Sequence, residues 1–212
     1  MLGAQKKSMA PPSGTILGYE LGWIAHPHRY EDWQRNRLSR PGADLIVSCV
    51  DTRSARQAIH ARLFNGGGQY RYWLDLGNTE VTAQVVLGQA PRQWGKRQAG
   101  QCPRLPCVTE LFPELLDESV VEENAPSCSV RMSLASQGLF INDVAVRYAA
   151  QLLYELFSKG RIRQHGVLVN LDSKRSGPID IDPSAWGRFG YRALDASADA
   201  DAEDVAAALQ AA

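Results

Sequence analysis

At 212 residues the chain is long enough to bury one good core, with room for appendages. Its 23 acidic and 23 basic side chains cancel, so the balance gives no argument for nucleic acid as a partner. There is no apolar run near the roughly 20 residues that cross a bilayer, no apolar segment after Lys6 and Lys7 to make a secretory signal, and no disulfide framework in four scattered cysteines. The expectation is a reduced, cytoplasmic protein with neither a membrane nor a nucleic-acid partner.

Residues 1–14 are polar and end in Pro11-Pro12-Ser13-Gly14, a poor start for a domain. Residues 15–40 carry scattered aromatics (Tyr19, Trp23, Tyr30, Trp33) and a basic run over 35–40. His26 and His28 in that stretch read as surface residues. The apolar run at 44–50 predicts a buried strand ending at Asp51. Ala55, Ile59 and Leu63 recur at helical spacing and predict a helix over 53–64. Asn65-Gly66-Gly67-Gly68 stops it; because the glycines follow a helix, they read as a turn and not as a phosphate loop.

Residues 70–76 and 81–87 predict two strands of a hairpin around Gly77, Asn78, Thr79 and Glu80. Residues 88–127 hold five prolines and little periodicity, which predicts a long crossover loop, functional or disordered. Ile141, Val144, Ala145, Tyr148, Leu152 and Leu156 predict a core-packed helix over 139–157, closed by Gly160. A strand is predicted at 166–171, then a turn over 180–186 leading into a short element. Residues 195–212, rich in Ala and Asp, read as a disordered or weakly helical tail.

Asp51 is the most informative residue. In open α/β sheets, ligands bind beyond the carboxyl ends of the strands, and an acid there can hold Mg²⁺ near a nucleotide. An aspartate before a helix is equally an N-cap, and the sequence leaves both readings open. Arg53 and Arg56, one helical turn apart, either meet an anion near the same tip or form a solvated face. Cys128, in Ala125-Pro126-Ser127-Cys128-Ser129, is either a nucleophile or a buried inert thiol. Cys102 and Cys107 make half of a zinc site. With no second pair, and only His165 and Cys128 to complete it by accident of folding, zinc is not expected.

The segments DLIVSCVDTRSARQAIHARL, YWLDLGN, VVLGQ, LPCVTELFPEL, PSCS and LFINDVAVRYAAQLLYELF, in that order, resemble the ThiF/MoeB/HesA family. These are bacterial relatives of ubiquitin-activating enzymes, and the similarity is strongest to the branch found in the PRTRC plasmid cassette. It spans about residues 2–190. The resemblance implies an α/β fold with a Rossmann-like mixed sheet of the ThiF type over residues 1–194. The family's first strand, GxGGxG loop and following helix have no counterpart. The expectation is therefore an N-terminally truncated, partial adenylation domain that works as a homodimer or with a partner supplying the missing half.

The resemblance also implies a reaction: ATP- and Mg²⁺-dependent adenylation of the C-terminal glycine of a ubiquitin-like or sulfur-carrier protein, with transfer to a cysteine in some members. Carried over, Asp51 matches the Mg²⁺-associated aspartate. Lys6, in Gly3-Ala4-Gln5-Lys6, matches the lysine that contacts the ATP phosphates, with Lys7 the alternative. Cys128 matches the transfer cysteine. The expected catalytic residues are Asp51, Lys6 and Cys128, and the expected cofactor contacts are Lys6, Asp51, Thr52 and Arg56. The alternative is a remnant or subunit that binds a ubiquitin-like protein or a dimer mate without turnover.

Overall fold

The computed structural model describes residues 43–64, 70–91, 104–117 and 140–191, with the backbone of 15–16 and 19–20. The chain divides into two units, Met1–Ser39 and Arg40–Ala212. In the first, β1 (Thr15–Ile16) and β2 (Tyr19–Glu20) form a short antiparallel pair.

The second unit runs β3 (Leu45–Ser48), α1 (Arg53–Phe64), β4 (Tyr72–Asn78), β5 (Thr82–Gln89), α2 (Val108–Leu111) and a 3-10 turn at Pro113–Leu116. It continues with α3 (Ile141–Tyr154), a π-helical turn at Glu155–Lys159, β6 (Gln164–Asn170), β7 (Arg175–Asp180) and α4 (Pro183–Trp186). Strands β3 to β7 lie side by side in that order in one open mixed sheet. β3 is parallel to β4, with Leu45 opposite Tyr72 and Ser48 opposite Asp75. All later pairings are antiparallel. A parallel pair needs a crossover, and α1 supplies it.

Strand alternation sends successive side chains to opposite faces. On one face, Leu74, Val85, Leu87, Val167 and Val169 pack against Ile141, Ala145, Ala149 and Leu152 of α3. Each large aliphatic side chain so buried stabilises the fold by about 1.5–3 kcal/mol. The opposite face carries Trp73, Asp75 and Gly88. α2 comes so close to it that a Cβ on Gly88 would lie 2.4 Å from Cys107 Cα. On α4, Trp186 is buried, donates from Nε1 to Asp180 O at 2.9 Å and stands edge-on to His165. Among the described residues, no helix is long and apolar enough to cross a membrane.

Several boundaries depart from the sequence expectation. β3 stops at Ser48, short of residue 50. Gly77 and Asn78, expected in the turn, are the last residues of β4. The reversal is made instead by Thr79 and Thr82, whose hydroxyls meet at 2.7 Å while Thr79 N donates to Thr82 O at 2.9 Å. β7 was not expected as a strand. It has no apolar alternation, buries only Ile179 and contains Pro178. Its outer place in the sheet order tolerates a residue that cannot donate. The predicted loop over 88–127 contains α2 and the 3-10 turn, and β5 runs on to Gln89. The tail at 195–212 lies outside the described residues.

Candidate functional site

The chain leaves β3 at Ser48 and enters α1 at Arg53. The residue that caps α1 is Thr52: its Oγ1 accepts from Ala55 N at 3.3 Å, and its carbonyl accepts from Arg56 N at 3.3 Å. Of the two roles left open for Asp51, capping falls to Thr52, whose hydroxyl is turned into the first turn of the helix. Asp51 is left exposed just past the carboxyl end of β3.

A cleft of about 1010 Å³ runs along this end of the sheet. Every described strand of the sheet reaches it or ends just short of it, because β4 and β6 finish where β5 and β7 begin. Asp51, Arg56, Asn78, Asn142, Asn170 and Arg175 bring convergent polar groups to its walls. Of the expected site residues, Asp51 and Arg56 line the same cleft and Thr52 does not. Lys6, Lys7 and Cys128 lie outside the described residues, as do Cys102, His26 and His28.

The two arginines of α1 diverge. Arg53 Nη1 donates to Glu114 O at 3.1 Å and holds the 3-10 turn. Arg56 turns the other way, into the sheet, where its Nε lies 3.3 Å from each oxygen of Asp75. Asp75 is wholly buried and also accepts from Ser48 Oγ at 2.6 Å, and Ser48 in turn accepts from Trp73 Nε1 at 2.7 Å. Burial pushes the Asp75 carboxyl above its ordinary range, while Arg56, Ser48 and Gln84 pull it back.

The described cysteines have different surroundings. Cys49 lines the cleft and is exposed, but partial burial, with the Asp75 charge adding to it, raises its thiol, away from the thiolate a nucleophile needs. Cys107 is fully buried. Its Sγ donates to Gln89 O at 3.5 Å, and burial pushes its thiol well up. His165 is buried with Nδ1 3.0 Å from Leu87 O, and its Nε2 has no partner. Among the described residues there is no group of three or more His, Cys, Asp or Glu placed to hold a metal. One carboxylate facing an open cleft suits Mg²⁺, which keeps several waters and shares phosphate oxygens.

Sequence reasoning missed the Ser48, Trp73, Asp75 and Gly77 set under Arg56. One signal was available. Asp75 is the only charge in YWLDLGN, and a charge inside an apolar strand calls for a buried partner.

No protein-family model matches the chain, and no curated protein does. Among solved structures, the chain is similar to the crystal structure of selenomethionyl PaaA, at 12% identity and a TM-score of 0.37. The match covers 76% of this chain and 48% of that one, so the chain spans about half the length of that protein.

Proposed function

We propose that the chain is a ThiF-type protein with a Rossmann-like sheet, and that the cleft beyond β3 serves ATP- and Mg²⁺-dependent adenylation of the C-terminal glycine of a ubiquitin-like or sulfur-carrier protein. One observation carries this reading: Asp51, exposed at the strand end and relieved of capping by Thr52, shares a cleft with the guanidinium of Arg56. A carboxylate and a fixed cation at that place suit a polyphosphate and its metal. When bound, Mg²⁺ neutralises phosphate charge. Asp51 would hold it, and Arg56, its charge balanced by Asp75, would offer the phosphates N–H donors already fixed in place. The glycine carboxylate attacks the α-phosphorus, and the bond to pyrophosphate breaks. By the sequence resemblance, Lys6 contacts the phosphates and Cys128 takes the acyl group with loss of AMP.

ATP–pyrophosphate exchange with a cognate ubiquitin-like protein tests this. The native chain should exchange, Asp51→Ala should not, and Cys128→Ala should keep exchange while losing any thioester or persulfide. Exchange that survives Asp51→Ala overturns the reading. Binding of the ubiquitin-like protein with no exchange leaves the chain a binding subunit.

A further inference from the structure

The cleft contains a guanidinium that is almost wholly enclosed yet keeps donors unused. Arg56 is 6% exposed, and its Nε is fixed on both oxygens of Asp75. Neither Nη group donates to a described residue. His165 Nε2 is the one fully enclosed side-chain nitrogen or oxygen without a partner among the described residues, so the Nη groups of Arg56, which lines the cleft, are not fully enclosed. An arginine carries five N–H donors in a planar fork, and the Nη edge matches the two oxygens of a carboxylate or phosphate.

The surroundings hold this fork in one pose. Asp75 is itself fixed by Ser48, and Ser48 by Trp73. Gly77, which also lines the cleft, leaves bare backbone beside the guanidinium. A Cβ there would lie 2.9 Å from Arg56 Nη2 and 3.0 Å from Gln84 Nε2. A second guanidinium, Arg175 at the start of β7, belongs to the same cleft and is exposed.

We propose that Arg56, locked by Asp75 and Ser48, is a built oxyanion receptor that takes a phosphate or carboxylate group on its two Nη donors, and that Gly77 keeps the receptor open. The inference rests on the cleft being the ligand site assigned above, but not on turnover. Gly77 and Asp75 are positioning residues: they act through Arg56.

The test is titration calorimetry of the full chain with pyrophosphate, and separately with N-acetylglycylglycine and its C-terminal amide. Saturable binding of pyrophosphate alone assigns a phosphoryl group, and binding of the free peptide but not its amide assigns a carboxylate. Arg56→Lys keeps the charge but loses the fork, and should weaken binding at least about tenfold. Gly77→Ala should do the same by displacing Nη2, with its melting temperature showing that the fold persists. Should neither oxyanion bind, or both variants bind as the native chain does, the receptor is overturned. Arg56-dependent binding without ATP–pyrophosphate exchange would leave the receptor standing and remove the adenylation reading. Exchange without Arg56-dependent binding would do the reverse.

Discussion

Arg56 on α1 and Asp75 on β4 meet at 3.3 Å with side-chain exposures of 8% and 0%. Replacing such a pair by apolar residues is often neutral, but removing one partner strands the other's charge. Asp75→Ala should therefore destabilise the unit by about 3–5 kcal/mol in urea denaturation. The double variant Arg56→Met with Asp75→Leu should recover most of that. A loss below about 1 kcal/mol for Asp75→Ala would place the pair with solvent-screened surface bridges.

The cap and the strand-end acid separate cleanly by mutation. Thr52→Ala removes the acceptor of Ala55 N and should cost about 1 kcal/mol of stability. Asp51→Ala, at an exposed position without that bond, should change stability by less than about 0.5 kcal/mol. Paired denaturation curves check this. The opposite ranking would return the capping role to Asp51.

Gly88 is held to glycine by the close approach of α2. A Cβ would meet Cys107 at its Cα, N and Sγ, all within 2.8 Å, and two of these are backbone atoms that cannot swing aside. Gly88→Ala should push α2 off β5 and cost about 1–3 kcal/mol or more, read as a lowered denaturation midpoint.

Acid should loosen the fold through buried histidine. Burial lowers the pKa of His165 below 6.5, only partly offset by Leu87 O and Asp180, and burial also lowers that of His60. The unfolded chain then binds more protons than the folded one below 6.5, so stability falls as pH drops through that value. Asp75 is shifted upward from 3.8, so it opposes this slope in the acidic range above that value. Denaturation midpoints should fall between about pH 7 and pH 5.5, and His165→Gln should flatten the profile.

The elements carried by apolar periodicity were legible. α1 occupies Arg53–Phe64 as its spacing demands, and the α3 stripe lies within the expected span. What periodicity cannot see was not. β7 pairs only with β6 among the described strands and needs little apolar patterning, so RSGPID carries no strand signal. The hairpin turn was placed two residues early because glycine and asparagine usually mark a reversal. Here Gly77 stays in β4, where it makes room for Arg56, and two threonines form the turn. Asp51 was legible as a strand-end acid, but its release from capping depended on the rotamer of the next residue. The Arg56–Asp75 contact joins residues 19 apart and needs both helix phase and strand parity to be known.

β5 has a strand on each side, α3 over one face and the start of α2 against Gly88 on the other. Deuterium has no local route to its amides. β3 and β7 can fray singly, but β5 takes up label only when the whole sheet comes apart. The exchange rate at Val85 and Val86 should therefore report the global unfolding free energy of the unit, and no other described strand should trade its protons later than this one.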